Sequence, residues 1–241
     1  MLRYLRRSFR FGFGLLKGDD HYWNYLNSHV LPLYYTLRFG KKVYSPESRR
    51  VFIDAGSNVG QGFQFFERLF PTEHFAYVFF EPNPHCREKL SEILSNYSFP
   101  SGREIRNEAV WTENGSTRFF GISESNDPLS QGGSVISSHN SAMYEPDECQ
   151  AYDVPTICFA EYLASVQEHY DEIVMKIDIE GAELPVLEDL WQRPALFKKP
   201  TTMFVEFHSI YLKPEHQVVA RQREDKIVNA APPNVKIYRW Y

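Results

Sequence analysis

The stretch V-F-I-D-A-G-S-N-V-G-Q-G, Val51 to Gly62, reads as strand, tight turn and helix start in one short run. Val51, Phe52 and Ile53 form an apolar run suited to a strand buried on both faces. Asp54 is expected at its carboxyl end, and Gly56 and Gly60 where backbone approaches a ligand too closely for a Cβ. Phe63, Phe66, Leu69 and Phe70 recur at helical spacing, so a helix should follow whose first N–H groups face the ligand. This is the outline of a nucleotide-type cofactor site. The G-x-G-x-x-G spacing of dinucleotide folds does not occur, and Gly56 to Gly62 lacks the lysine of a phosphate loop. The pattern is D-x-G-x-N-x-G, with Asn58 between the glycines. A carboxylate at the mouth of the turn repels pyrophosphate and suits a cofactor with a cationic amino-acid tail.

Outward from this stretch, apolar runs alternate with helical patterns, the signature of a mostly parallel sheet with helices on both faces. Strands are expected at Ala76–Phe80, ending at Glu81, and at Ile105–Trp111 and Thr117–Ile122, joined as a hairpin through E-N-G-S. Further strands are expected at Glu172–Ile177, Met203–Phe207 and Asn234–Trp240. Helices should cover Pro84–Asn96, Phe159–Val166, Gly181–Trp191 and Glu215–Val228. The polar segment Ser123–Tyr152 carries no period and is expected as a loop over the site's mouth. Residues 1–49 are expected as an N-terminal helical extension and 50–241 as the domain that carries the cofactor-type site.

A chain of 241 residues, 43% hydrophobic, fits one large α/β domain. The net charge of −5 argues against wholesale binding to nucleic acid. Cys86, Cys149 and Cys158 have no metal-ligand spacing, as expected of reduced thiols in a cytoplasmic protein. No apolar run approaches the ~20 residues that span a bilayer. The N-terminus interleaves Arg3, Arg6, Arg7, Arg10 and Lys17 with aromatic residues. That pattern suits packing on the domain's own flank, or peripheral contact with an anionic membrane or an acidic protein.

Three strand ends are acidic: Asp54 at the first, Glu81 at the second, and Asp178 with Glu180 in V-M-K-I-D-I-E-G-A-E at the third. Ligands of open α/β sheets bind outside the carboxyl ends of strands, so these acids should share one crevice. An acid at Glu81, beyond the second strand, is placed to accept hydrogen bonds from ribose hydroxyls. Lys176, inside an apolar strand, requires a carboxylate partner, Asp178 or Glu206.

The set D-A-G-S-N-V-G-Q-G, F-F-E-P-N-P, N-E-A-V-W, K-I-D-I-E-G-A-E and F-V-E-F-H resembles the FkbM family of S-adenosylmethionine-dependent methyltransferases over about Val51 to His208. The resemblance implies a class I, Rossmann-like three-layer sandwich and methyl transfer, usually to a hydroxyl oxygen of a sugar, polyketide or similar metabolite. It implies a cofactor turn of Asp54, Gly56, Asn58 and Gly60. Glu81, with Pro82 beside it, would hold the ribose, Glu108 and Ala109 would flank the adenine, and Asp178 would lie near the transferring methyl. Class I sheets normally finish with an antiparallel pair, whereas the tail after Pro214 supplies one obvious strand.

Methyl transfer to oxygen needs alignment and removal of the hydroxyl proton. His208 is the first candidate base, with Asp178 and Glu180 as rivals, Lys176 tuning them, and Glu206 read as a strand residue facing its neighbours. Asp178, Glu180, Glu206 and His208 could also hold a divalent ion, but the metal-free version is preferred. Tyr144, Tyr152 and Tyr211 are candidates to line the acceptor pocket. The expected partner is a small-molecule or glycan acceptor. The rivals are an RNA 2′-hydroxyl methyltransferase, which would lose activity steeply with salt, and a silent binding module, which would not bind the cofactor.

Overall fold

A computed structural model describes residues 30–40, 42–120, 132–137, 151–209, 212 and 214–240. The chain divides into two compact units, residues 1–43 with Tyr241 and residues 44–240. Within the first, α1 spans Leu31–Phe39. The basic segment expected to contact a flank, a membrane or a protein lies outside the described residues.

The second unit carries a six-stranded sheet of β1 (Arg50–Ala55), β2 (Ala76–Phe80), β3 (Arg103–Arg106), β7 (Glu172–Ile177), β8 (Thr201–Val205) and β9 (Val235–Arg239). Their order is β3-β2-β1-β7-β8-β9 and every neighbouring pair is parallel. The sequence runs outward from β1 in one direction and resumes at β7 in the other. The switch of direction between β1 and β7 opens a crevice at their carboxyl ends. The fold is α/β and Rossmann-like, and the last strand pairs parallel rather than in an antiparallel finish.

Alternation along these strands gives the sheet two different faces. Phe52, Tyr77, Phe79 and Phe204 meet Phe63 and Phe66 of α2 (Gln61–Phe66), with ring centroids 4.7–5.5 Å apart for Phe66–Phe204, Phe52–Tyr77, Phe52–Phe66 and Phe63–Phe79. The other face is mainly aliphatic. Val51, Ile53, Ile173, Met175, Met203 and Val205 pack with residues of α4 (Phe159–His169), α5 (Glu183–Trp191) and α6 (Pro214–Asn229). Runs buried on both faces explain why β1, β2 and β7 read as near-continuous apolar segments.

Several boundaries differ from expectation for local reasons. The segment read as one strand from Ile105 to Trp111 breaks at Asn107–Glu108. β3 stays in the main sheet, while β4 (Ala109–Trp111) joins β5 (Gly115–Phe119) and β6 (Tyr152–Cys158) in a second sheet of order β4-β6-β5. β6 lies between β4 and β5, so E-N-G-S is not a hairpin turn. The Asn114 side chain instead accepts from Cys158 N (2.9 Å) and donates to Glu161 (2.7 Å), tying the β4–β5 connection to the start of α4. β6 was hidden by Pro155, although Val154, Thr156 and Cys158 alternate inward. Residues 123–131 and 138–150 of the expected loop lie outside the described residues, as does Ile122, and the strand expected to reach it ends at Phe119. α2 ends at Phe66, with Leu69 and Phe70 buried just beyond it. α3 (Pro84–Leu94) opens on an Asn83 cap that accepts from His85 N.

Candidate active site

Asp54 and Lys176 are register partners near the carboxyl ends of β1 and β7, on the aromatic face. Both are buried, and Lys176 Nζ lies 3.3 Å from Asp54 Oδ1, 3.0 Å from Asp178 Oδ2 and 2.8 Å from the Gly56 carbonyl oxygen. The lysine therefore finds two carboxylates, Asp54 and Asp178, with Glu206 acting only at longer range. Burial opposes its charge, but the two aspartates outweigh burial and raise its pKa. Burial raises the Asp54 carboxyl against the pull of Lys176. The lysine stem fits because residue 62 is glycine: a Cβ there would stand 2.8 Å from Lys176 Cδ and Cε.

The turn is tight because a second backbone packs against it. Gly56 has φ +79°, and a Cβ on it would lie 1.8 Å from the Asp178 carbonyl oxygen. The β1 turn and the β7 turn thus touch backbone to backbone, with Lys176 bonded to Gly56 O and paired with Asp178. Gly60, φ +95°, precedes α2, and a Cβ there would meet Leu90 at 3.0 Å. Beyond β2, Glu81 accepts from Asn58 N (2.7 Å) and Asn83 N (2.8 Å). Burial pushes its carboxyl up to about 7, against the lowering effect of those two N–H groups.

Past β7 the chain turns through Glu180 and Gly181, both at positive φ, +53° and +97°. This brings Glu183, fully buried at the head of α5, back onto the Ile179 N–H (2.9 Å) and the Gly181 N–H. Glu183 Oε1 lies 2.9 Å from His208 Nδ1. His208 Nε2 faces Glu180 Oε2 at 3.3 Å, Asp178 Oδ1 at 3.7 Å and Glu206 Oε1 at 3.9 Å. Burial disfavours the imidazolium, yet Glu183, then Glu180 and Asp178, hold its pKa above 6.5. Burial pushes Glu180 and Glu206 above the usual carboxylate range, and repulsion from Asp178 adds to it. Glu206 stands beyond β8, its N–H bonded to Ile177 O, so it is not the strand residue expected.

These elements border an open cleft. Glu81, Pro82 and Asn83 line one part and Asp178 and Glu180 another, with Phe80, Ala109, Val110, Phe119, Val135 and Ile179 as apolar wall. The sequence model of the Methyltransferase FkbM domain matches residues 54–221. The chain belongs to the FkbM methyltransferase family. Among solved structures, it is similar to the methyltransferase FkbM from Methylobacillus flagellatus KT, at 13% identity and a TM-score of 0.47. That match covers 83% of this chain, which spans 42% of the length of the other. No curated protein matches. Among the described residues no helix is long and apolar enough to cross a membrane.

Within this FkbM domain, Gly56, Asn58, Glu81, Pro82, Ala109, Asp178 and Glu180 border the cleft. Asp54, Gly60, Lys176 and His208 sit behind that lining, and Glu108 is engaged by Arg106 at 2.6 Å. Tyr152 opens β6 against Phe119 rather than lining the cleft, and Tyr144 and Tyr211 lie outside the described residues. The residue the sequence reading gave no role is Glu183. Its signal was present: a third acid in D-I-E-G-A-E, set between Ala182 and Leu184 at the head of an apolar helix.

Proposed function

We propose that this FkbM-family chain is an S-adenosylmethionine-dependent O-methyltransferase, acting on a hydroxyl of a sugar, glycan or small metabolite. The observation that carries the reading is one cleft at the β1/β7 switch joining Glu81 to Asp178 and Glu180 across an apolar wall. The residues suit the cofactor. Each Glu81 oxygen holds one backbone bond and keeps acceptor capacity for a ribose hydroxyl. Ala109 and Val110 offer an apolar surface for adenine, and the acids beyond β7 favour a positively charged sulfonium and ammonium. S-adenosylmethionine supplies an already activated methyl group.

The chain's own contribution is placement and proton removal. Lys176 fixes the β1 turn and Asp178 relative to each other through three contacts. Asp178 and Glu180 face the cleft and are placed to receive the acceptor's proton. His208 supports that pair from behind, with Nδ1 engaged by Glu183, and is a positioning residue in this reading. Calorimetric titration of the full chain with S-adenosylmethionine tests the first half, and failure to bind at millimolar concentration refutes it. Incubation with candidate acceptors, read by a mass gain of one methylene unit on oxygen, tests the second. Methylation confined to nitrogen or carbon would overturn the O-methyl assignment.

A further inference from the structure

The geometry around His208 points to a site for a divalent first-row cation, such as Mn²⁺, held by Asp178, Glu180 and His208. One ligand atom from each lies within 4.8 Å of the other two. The distances from His208 Nε2 to Glu180 and Asp178, 3.3 and 3.7 Å, exceed the ~2.7–2.9 Å of a charge-assisted hydrogen bond. They match the edges of a coordination sphere, since neighbouring ligands at bonds of about 2.0–2.3 Å stand roughly 3.0–3.8 Å apart. The imidazole is also held as a ligand would be. Glu183 engages Nδ1 from outside the ligand set, which fixes the ring and turns Nε2 toward the two carboxylates. Glu183 is itself anchored by backbone N–H groups of the loop that carries Glu180.

The charges agree. Asp178, Glu180, Glu183 and Glu206 gather around His208, and Lys176 is shared with Asp54. Two carboxylates and one imidazole without thiolate suit Mn²⁺ or Fe²⁺ better than a soft ion. Three protein ligands leave positions open, and Asp178 and Glu180 border the cleft. An acceptor oxygen would complete the sphere there, its hydroxyl passing its proton to the Glu180 oxygen that does not hold the ion. That last role rests on the transferase reading, whereas binding of the ion does not.

The test is titration of chelator-stripped, full-length protein with Mn²⁺, followed by electron paramagnetic resonance. The expected result is one saturable site per chain with nitrogen coupling from an imidazole. His208→Ala should abolish the coupling, and Glu180→Gln should weaken binding at least tenfold. Glu183→Gln, which leaves all three ligands in place, should weaken binding by about 10–100-fold. Glu92→Gln on the exposed face of α3 should change nothing. Circular dichroism checks folding, and Glu180→Gln keeps the test valid if His208→Ala does not fold. No saturable binding, binding without nitrogen coupling, or binding unaffected by Glu180→Gln overturns the site. Titration with S-adenosylmethionine in parallel separates the two proposals: cofactor binding without Mn²⁺ binding removes the ion and leaves the transferase.

Discussion

Replacing Gly56 by alanine tests whether the two turns at the sheet's switch point meet backbone to backbone. Two costs combine there. A positive φ penalises an L side chain by about 1–2 kcal/mol. The new Cβ would also stand 1.8 Å from the Asp178 carbonyl oxygen, a rigid neighbour that must retreat. Overpacking of that kind costs about 1–3 kcal/mol, and occasionally more. Gly102 supplies an internal control, because it has φ +100° but nothing within 4 Å of an added Cβ. For a chain this size 1 kcal/mol moves Tm by about 2–4 °C. Gly102→Ala should therefore lower Tm by roughly 2–8 °C and Gly56→Ala by roughly 4–20 °C. Differential scanning fluorimetry reads both. Equal melting temperatures would show that the collision is not felt and that the turns are not in the contact described. Gly56→Ala should also weaken S-adenosylmethionine binding, since relief of the clash displaces Asp178, whereas Gly102→Ala should leave it intact.

Lys176→Met keeps the stem packed over Gly62 but leaves Asp54 buried without its cation. Urea unfolding should show a loss of about 3–5 kcal/mol, partly restored by adding Asp54→Asn; no restoration would argue against the pair. Glu81, raised to about 7 from 4.5, contributes most to the folded state below its unfolded value and loses that contribution as pH rises through 7. In the proposed complex, ribose hydroxyls would favour its ionised form, so calorimetry between pH 5.5 and 8.5 should show cofactor affinity rising by up to about tenfold per pH unit below 7 and levelling above it. Glu81→Gln should bind weakly and without that slope; a slope that survives would place the proton elsewhere. Asn114→Ala removes both bonds that tie the β4–β5 connection to α4, and thermal unfolding should report a loss of about 1–2 kcal/mol. An unchanged Tm would assign Asn114 no structural part.

What the sequence disclosed follows from burial. β2 and β7 were readable to the residue because both faces are covered, in β7 even at Lys176. Lys176 could be recognised as paired because a lone ammonium in such a strand is untenable, yet its partner Asp54 required knowing that β1 lies beside β7. β6 was missed because Pro155 stands in its centre. The broken strand at Asn107–Glu108 was missed because apolar content does not reveal which sheet a strand joins. Glu183 stayed hidden among neighbouring acids. Only the positive φ at Glu180 and Gly181, which folds the helix start back over the loop, separates a buried anchor from a solvated charge.

The pairing of Phe119 with Tyr152 has a bearing on how this protein could diversify. The chain leaves the small sheet at Phe119 and re-enters it at the register partner, so residues 120–151 begin and end at one point. Their length can change at little cost, since doubling a closed loop adds only about 0.6 kcal/mol. Phe119 at the end of β5, with Ala109 and Val110 of β4 in the same small sheet, supplies one wall of the cleft, while Glu81 and Asp178 stand just beyond strands of the other sheet. A change of length between Phe119 and Tyr152 can therefore alter what borders the small sheet while the acids beyond β2 and β7 keep their places.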